Sequence, residues 1–251
     1  QTIRFHQNYR LKNALLIGVF IGLMIATRPT EIVAIFIPLL WGVGSFSDFR
    51  LRIKLIFTTQ FKLYLAAALL AFLCVFPQLI YWKLTTGSWV FYSYVNGGEG
   101  LDLLSPHTRN FLLSFRKGWW LYTPMMFFAT LGFYQIYQKQ KSIFWALFSY
   151  FIFNLYLVSS WTTWWYASSF SQRAIEQSYP IMGIALGFFF VYQVKWRKLI
   201  LILASVFLFL NLFQTYQYHV QILPDDRITK AYYVSVFGQV KGPSKEQLKL
   251  L

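Results

Sequence analysis

The chain contains 251 residues and carries a formal net charge of +15, yet only 12% of its residues are charged while 57% are hydrophobic. A soluble domain would carry about a quarter charged residues, a disordered chain would be far less hydrophobic, and a nucleic-acid-binding protein with this basic balance is not usually so apolar. The composition therefore indicates an integral membrane protein.

Seven apolar segments are predicted to cross a membrane as α-helices, because a spanning helix needs about 20 mostly apolar residues. The first two are halves of one long region that Arg28-Pro29 interrupts, since proline removes a backbone donor and disfavours helix at the residue before it. The predicted fold is an all-α, polytopic transmembrane bundle over residues 1–216, followed by an extracytoplasmic tail over 217–251. The predicted spans are 13–27, 30–46, 61–81, 119–137, 143–161, 179–194 and 199–216.

The orientation of the spans follows from Lys and Arg, which concentrate in the short cytoplasmic loops of membrane proteins. Region 13–46 has such residues at both ends and must then cross an even number of times, which favours a hairpin whose turn, 28–31, lies near the outer face. A single kinked span, with the N-terminus outside, stays an alternative. The residues assigned to the cytoplasm are Arg4, Arg10, Lys12, Arg50, Arg52, Lys54, Lys139, Lys141, Lys195, Arg197 and Lys198.

The predicted outer loop 84–118 combines aromatic, hydroxyl and charged residues. Tryptophan and tyrosine favour the headgroup level of a membrane, and the run 110–115 predicts a short helix lying in the interface. Arg116 and Lys117 stand just before the next span, where two cations could bind the phosphate of a lipid. The alternative is that they anchor the chain by snorkelling to the headgroups.

The second predicted outer loop, 162–178, brings Trp165, Gln172 and Arg173 close together in sequence. Aromatic rings stack on the CH faces of a sugar, and amide and guanidinium groups hydrogen-bond its hydroxyls, so this loop indicates a sugar site. Two alternatives stay open. The tryptophans could form an aromatic belt without a ligand, and Arg173 could pair with Glu176 at helical spacing.

Arg28 is the strongest single candidate for a functional residue, because a charge between two apolar stretches is costly and usually functional. Its guanidinium could bind a phosphate, and a local ion pair with Glu31 is the alternative. His107 has no second histidine or carboxylate at metal-ligand spacing, so we interpret it as a loop residue and predict no metal site. His219 and the pair Asp225-Asp226 are interpreted as part of a solvated tail.

Four segments together resemble membrane glycosyltransferases of the GT-C fold, especially bacterial members similar to dolichyl-phosphate-mannose-protein mannosyltransferases and lipid A aminoarabinose transferases. Their order, spacing and alternation with apolar spans are similar over most of the chain, although no single segment is as specific as a phosphate-binding loop. The segments are GLMIATRPTE at 22–31, FPQLIYWK at 76–83, SFRKGWWLYTP at 114–124, and WWY at 164–166 with SQR at 171–173.

The resemblance implies an enzyme of the bacterial cytoplasmic membrane that takes a sugar from a polyprenyl-phosphate donor. It would transfer that sugar, on the outer face, to a lipid, glycan or protein acceptor. In the family an acidic residue of the first outer loop serves as base or metal partner, and that loop would precede Gln1. We therefore expect a C-terminal portion that lacks the catalytic acid; no cofactor is identified, and a divalent metal is allowed in the full-length enzyme.

The same resemblance implies the site residues. Four cations are expected to converge on one outer cavity and to contact the donor phosphate or sugar: Arg28, Arg116, Lys117 and Arg173. Five weaker candidates are expected to line it: Glu31, Glu99, His107, Trp165 and Gln172. Membrane lipids are the other predicted partner, and no nucleic acid is expected. Two rival functions stay open, namely a transporter or flippase for a lipid-linked or anionic substrate and a non-catalytic membrane assembly subunit.

Overall fold

A computed structural model describes residues 1–91, 98–166 and 168–251 of the chain. About 70% of the chain is helical, and the described residues form no β-strand, which confirms the all-α prediction. In chain order the α-helices are α1 (Thr2–Gln7), α2 (Leu11–Thr27), α3 (Phe36–Leu40), α4 (Phe46–Phe57), α5 (Phe61–Thr86), α6 (Thr108–Leu113), α7 (Trp119–Tyr122), α8 (Met125–Lys139), α9 (Lys141–Ser159), α10 (Tyr179–Tyr192), α11 (Arg197–His219), α12 (Lys230–Val236) and α13 (Lys245–Leu248), with 3-10 helices at Pro29–Ile35 and Arg173–Ser178.

The chain divides into two compact units. Unit 1 comprises Gln1–Gly97 and Ile136–Asn154, and unit 2 comprises Gly98–Gln135 and Leu155–Leu251. The part of the predicted outer loop at 92–97 lies outside the described residues, as does position 167 in the second outer loop.

Four helical segments among the described residues are long and apolar enough to cross a membrane. They are Phe61–Thr86, Lys141–Ser159, Arg173–Tyr192 and Arg197–His219. None of the most apolar window of the first segment is buried inside the protein. An exposed apolar surface of this extent marks a site of contact with lipid or with another protein, so the structure supports a membrane protein.

The chain breaks and turns back at Arg28. Helix α2 ends at Thr27, Arg28 is extended with φ −152°, and Pro29 begins the first 3-10 helix. The returning segment brings the carbonyl oxygen of Pro38 within 2.8 Å of His6 Nε2, close to where α2 began. This is the path that the hairpin interpretation requires.

The second half of the hairpin differs from the predicted span 30–46. The 3-10 helix gives way to α3, which ends at Leu40, and Gly42 follows with φ +85°. That left-handed conformation is readily adopted only by glycine, so it ends the helix. Prediction of one helix up to residue 46 was therefore wrong.

The basic segment that contains Arg50, Arg52 and Lys54 was predicted as a loop and is a helix, α4. The hydroxyl of Ser45 accepts a hydrogen bond from the backbone N–H of Asp48 at 3.2 Å and so caps the helix start. This cap satisfies a backbone donor that would otherwise lack a partner. A basic segment between two apolar segments can thus be helical.

The predicted span 119–137 is also wrong as a single helix. It consists of the short helix α7 and the 15-residue helix α8, separated at Thr123-Pro124. Pro124 has no N–H to donate and disfavours helical geometry at Thr123, which has φ −134°. The uninterrupted helix α8 is about 22 Å long at 1.5 Å per residue.

In each unit two helices pack closely over glycine. A Cβ on Gly18 of α2 would collide with the carbonyl oxygen of Ala67 on α5, and one on Gly22 would lie 2.6 Å from that of Ala71. Because the two contacts advance in the same direction on both helices, α2 and α5 run parallel. In unit 2, a Cβ on Gly132 would collide with a backbone carbonyl of α10 in the same way. Small residues let helix backbones approach one another.

The C-terminal segment is packed up to Val236, which corrects the interpretation of 217–251 as a solvated tail. Ile222, Leu223, Tyr232 and Val236 are buried in one apolar cluster with Tyr122. Tyr232 also donates a hydrogen bond from its hydroxyl to the Ile222 carbonyl at 2.6 Å. This segment therefore belongs to the core of unit 2.

Candidate functional site: a buried lysine and its charged neighbours

The turn between α6 and α7 carries Arg116 and Lys117, and Gly118 makes the turn possible. A Cβ at Gly118 would lie 2.5 Å from the carbonyl oxygen of Ser114, to which the Gly118 N–H donates at 2.6 Å. The next residue, Trp119, is fully buried and donates from Nε1 to the hydroxyl of Tyr179 at 3.3 Å. The turn is thereby fastened to the start of α10.

Arg116 has both a carboxylate and an aromatic partner. Its Nε and Nη2 donate to Oδ1 and Oδ2 of Asp226 at 2.6 and 2.9 Å. The guanidinium carbon lies 3.6 Å from the ring centroid of Trp165. Paired hydrogen bonds and stacking fix the plane of a guanidinium better than a single contact does. Arg116 is consequently held in one orientation.

Lys117 is only 2% exposed, which is rare for a lysine. Its Nζ donates to Ser169 Oγ at 3.1 Å and to the carbonyl oxygen of Tyr166 at 3.3 Å. Burial lowers the pKa of Lys117 to about 8; the carboxylates of Asp226 and Asp225 oppose this shift, and the nearby cations add to it. This amine is therefore poised to change charge near neutral pH. We call Arg116, Lys117, Trp165, Ser169 and Asp226 the Lys117 cluster.

Ser169 and Asp226 are the members of the cluster that the sequence interpretation missed, and Asp226 is the charged one. Its Oδ1 also accepts from the backbone N–H of Arg227 at 2.7 Å. Desolvation raises the pKa of Asp226, but the hydrogen bonds from Arg116 and the Arg227 backbone and the charges of Arg116 and Lys117 outweigh it, so the net pKa is lowered. The available signal was the apolar pair Ile222-Leu223, which showed that the segment before Asp226 could be buried.

The loop that contacts Lys117 contains unusual backbone conformations. Tyr166, Ser168 and Ser171 have φ of 42°, 59° and 51°. Side chains other than glycine rarely adopt this left-handed region, and such residues cluster at functional sites because surrounding contacts must hold them there. The hydroxyl of Tyr166, which donates to the Val158 carbonyl at 2.9 Å, supplies one such contact.

Gln172 and Arg173 follow this loop and differ in exposure. Gln172 is 1% exposed, and neither its side-chain oxygen nor its nitrogen has a hydrogen-bond partner among the described residues. Arg173 is exposed, yet its charge is close enough to lower the pKa of Lys117. The described part of the chain holds no ion pair between Arg173 and Glu176, so that alternative is not what the structure shows.

The remaining predicted site residues are distributed over both units. Arg28 and Glu31 belong to unit 1, whereas Glu99 and His107 belong to unit 2. Glu31 is 2% exposed; its Oε2 accepts from the Tyr150 hydroxyl at 2.8 Å and its Oε1 has no hydrogen-bond partner among the described residues. The structure thus brings Arg116, Lys117, Trp165 and Arg173 into one neighbourhood. Convergence of Arg28 on that neighbourhood stays a prediction.

Glu99 and His107 lie in the segment before α6. Both are half-buried, and the backbone N–H of His107 donates to the Ser159 carbonyl at 2.8 Å. The described residues contain no group of three or more His, Cys, Asp or Glu side chains placed to hold a metal ion.

Comparisons with known proteins do not extend this description: no family model, no curated protein and no solved structure matches the chain. The chemistry of the site consequently follows from its geometry alone. Three cations, a carboxylate, an aromatic face and a buried amide suit an anion that carries hydroxyl groups.

Proposed function

We propose that the chain is a polytopic, membrane-embedded part of a glycosyltransferase that uses a polyprenyl-phosphate sugar donor on the outer side of the membrane. The observation that carries this proposal is the Lys117 cluster. The Lys117 amine is buried and lies near two arginines, one of which stacks on Trp165, and the unpaired amide of Gln172 directly precedes the other arginine in the chain. The cluster combines groups that recognise a phosphate with groups that recognise a sugar.

The charges of the cluster favour an anion. Arg116 and Arg173 are close enough for their charges to act on Lys117, as are the carboxylates of Asp226 and Asp225, whose effect is opposite. Asp226 engages Nε and Nη2 of Arg116 and leaves Nη1 for another acceptor. A phosphate is a good occupant, because it accepts several charge-assisted hydrogen bonds at once.

The sugar would lie against the aromatic and amide groups. Trp165 is partly exposed and offers a ring face to the CH groups of a pyranose. The oxygen and nitrogen of Gln172 are a hydrogen-bond acceptor and a donor that nothing in the described protein satisfies. Buried polar groups of this kind cost free energy unless a partner pairs with them, and sugar hydroxyls would supply that partner.

The cations would act on the leaving group. In sugar transfer an acceptor hydroxyl attacks the anomeric carbon, the bond from that carbon to the phosphate oxygen breaks, and the lipid phosphate departs with the electron pair. The acceptor proton goes to an acidic residue that serves as the base in the family that the chain resembles. Lys117 and Arg173 would stabilise the charge that develops on the departing oxygen, an effect worth about 100-fold or more in rate for one donor.

The test is transfer of radiolabelled sugar from polyprenyl-phosphate donors in membranes that contain the protein in its natural full length. Lys117→Met should reduce transfer by about 100-fold, while the exposed Lys241→Met serves as the matched control and should leave it unchanged. Lys117→Arg should retain much of the activity, because it keeps the charge.

The pH dependence adds a second readout. Lys117 is cationic below its pKa of about 8 and neutral above it, so transfer should fall as pH rises through about 8. Lys117→Arg should abolish this fall, because arginine stays protonated. Normal transfer by Lys117→Met would overturn the phosphate role, and substrate movement across the membrane without transfer would favour the transporter alternative.

A further inference from the structure

A second arginine site lies in unit 1, at the end where α2 and α5 begin. Arg52 donates from Nη1 to His6 Nδ1 at 2.8 Å and to the Tyr9 hydroxyl at 3.2 Å, and from Nη2 to the Trp41 carbonyl oxygen at 2.7 Å. Gly42, with φ +85°, is the residue that turns the chain directly after this carbonyl. Three separate sequence segments, 6–9, 41–42 and the helix α4 that carries Arg52, therefore meet at one guanidinium.

All the acceptors of Arg52 are neutral. Burial, reinforced by the charge of Arg52, lowers the pKa of His6 to about 4, so the imidazole stays uncharged and accepts at neutral pH. Within the described residues Arg52 forms no ion pair with a carboxylate. Asp48, on the same helix, instead accepts from the backbone N–H of Gly44 at 3.1 Å. Among the described residues, no carboxylate is therefore in direct contact with the Arg52 guanidinium.

Two polar groups at this site are buried and lack a partner. Arg52 Nε and the Tyr64 hydroxyl are both shielded from solvent, and neither makes a hydrogen bond with a described residue. The Tyr64 hydroxyl lies beside Arg52, whose charge and guanidinium donors both act on it, although the geometry falls short of a hydrogen bond. A buried donor without an acceptor is costly, and here two donors are available to one ligand.

An apolar cavity of about 380 Å³ adjoins these groups. It runs between α2, the returning segment and α5, and its lining is almost entirely hydrocarbon. Phe5, Pro38 and Tyr64 line the end nearest Arg52: the Pro38 carbonyl accepts from His6, and Phe5 packs edge-on against Tyr64 with 5.5 Å between ring centroids. A guanidinium therefore stands at the mouth of a hydrocarbon groove.

The surrounding surface is also basic. A second, polar pocket of about 380 Å³ at the α1–α2 junction is lined by Arg4, Arg10 and Lys12, and its lining includes no acidic residue. Basic residues that flank membrane segments attract anionic lipid headgroups, at about 1 kcal/mol for each Lys or Arg near the surface. The charge and the groove together fit a molecule that is anionic at one end and apolar along the rest.

We propose that this end of unit 1 binds an anionic glycerophospholipid, with the headgroup phosphate on Arg52 and Tyr64 and an acyl chain in the groove. Arg52 Nε and the Tyr64 hydroxyl donate to the phosphate oxygens, and the acyl chain covers the exposed hydrocarbon lining of α2 and α5. The site is independent of sugar transfer and involves none of the residues of the Lys117 cluster. It would anchor the predicted cytoplasmic end of the hairpin to its lipid leaflet.

The experiment measures lipid retained by the purified full chain in detergent, by native mass spectrometry, after addition of phosphatidylglycerol, phosphatidylcholine or glycerol 3-phosphate. Wild type should retain phosphatidylglycerol in preference to phosphatidylcholine and should not retain glycerol 3-phosphate. Arg52→Gln should weaken phosphatidylglycerol retention about tenfold, the effect of losing charge-assisted hydrogen bonds. The control Lys54→Gln, on the same helix and exposed, should retain the lipid.

A second pair of variants tests the groove without touching the arginine. Ala68 lines the groove and its neighbour Leu69 does not. Ala68→Phe should therefore weaken retention by occupying the chain position, whereas Leu69→Phe should not. Circular dichroism of each variant reports whether its helices are intact.

The outcomes separate cleanly. Equal retention of the two phospholipids by wild type, or unchanged retention by a folded Arg52→Gln, would overturn the proposal. Retention of glycerol 3-phosphate as strong as that of phosphatidylglycerol would show a free-phosphate site instead. If Arg52→Gln does not fold, two other measurements still test the proposal. They are the lipid preference of the wild type and the comparison of Ala68→Phe with Leu69→Phe.

Discussion

Arg116 and Arg52 are the arginines around which the polar contacts of the two units are organised, and they differ in what balances their charge. Arg116 faces the carboxylate of Asp226 through two hydrogen bonds and stacks on Trp165. Arg52 has two hydrogen-bonded nitrogens as well, but its acceptors are an imidazole, a phenol and a carbonyl. Among the described residues, Arg116 has a carboxylate partner and Arg52 has none.

The difference separates a positioning role from a binding role. A carboxylate that pairs with an arginine lowers the attraction of that arginine for other anions, so Arg116 orients the site while Lys117 and Arg173 supply free positive charge. An arginine that has only neutral acceptors keeps its full attraction for an anion. The same side chain therefore has different uses in the two units.

The largest expected effect concerns the glycine crossing that supports the Arg52 site. Gly18→Ala places a Cβ against the backbone of Ala67, which cannot move as a side chain could, so α2 and α5 must separate. We expect a loss of about 2 kcal/mol or more in the free energy of unfolding, typical of overpacking. Thermal unfolding in detergent measures it, and phospholipid retention should fall in parallel.

Gly187→Ala is the matched control, because a Cβ there meets nothing within 4 Å. In α10 this change should stabilise the helix by up to about 1 kcal/mol, the difference in helix propensity between glycine and alanine. Equal effects of the two substitutions would contradict the close approach of α2 and α5.

A smaller effect is expected when the compensation of Arg116 is removed. Asp226→Asn breaks the paired hydrogen bonds and should lower the free energy of unfolding by about 1 kcal/mol, a modest value because the pair is partly exposed and screened by solvent. Asp225→Asn is the neighbouring control: Asp225 acts on Lys117 only through its charge, and its change should cost less.

The same variant has a pH signature. The pKa of Asp226 lies below its ordinary value of 3.8 in the folded protein, so the unfolded chain takes up the proton more readily. Its stabilising contribution is therefore full above pH 4 and is lost as pH falls below that value. Asp226→Asn should remove this loss, and acid unfolding followed by circular dichroism would show it. An unchanged acid transition would mean that the pair contributes nothing.

The smallest expected effect concerns the backbone beside Asp226. Arg227 has φ 64° and its side chain is exposed, so Arg227→Gly relieves an unfavourable conformation. Relief of the left-handed conformation stabilises the folded state, whereas the greater conformational entropy of glycine stabilises the unfolded chain. The net result should be a stabilisation of unit 2 by about 0.5 kcal/mol. Gly238, with φ 78°, provides the reverse test, because Gly238→Ala should destabilise the same unit.

The long apolar helices were the predictable part of the fold, because their length and composition are local properties. Segments 61–81, 143–161 and 199–216 correspond to α5, α9 and α11, whose ends differ from the predicted ends by a few residues. The break at Arg28 followed from the steric rule for the residue before proline. The same rule applied to Thr123-Pro124 would have divided the span 119–137. That span was predicted as one helix because its composition is apolar throughout.

The polar sites were less predictable, because they depend on pairs far apart in sequence. Arg116 and Asp226 are 110 positions apart, and no local pattern indicates such a pair. Arg52 was counted as evidence of a cytoplasmic loop, a prediction about orientation that gives no information on its contacts with His6 and Trp41. Three candidate site residues were easier to place, because they lie within a few positions of a predicted span: Arg116, Lys117 and Trp165. The end of a span fixes the approximate depth of the residues next to it.

The parallel packing of α2 and α5 has a consequence for how the chain is made. Gly18 rests on Ala67, so the partner of this helix face is added 49 residues later, a delay of several seconds at about 5–20 residues per second. Until then the face of α2 that carries Gly18 and Gly22 lacks the α5 backbone on which it packs. During this interval the glycine face of α2 is in contact with lipid or with the insertion machinery. Substitutions at Gly18 or Gly22 should therefore reduce the yield of inserted protein before they affect any activity.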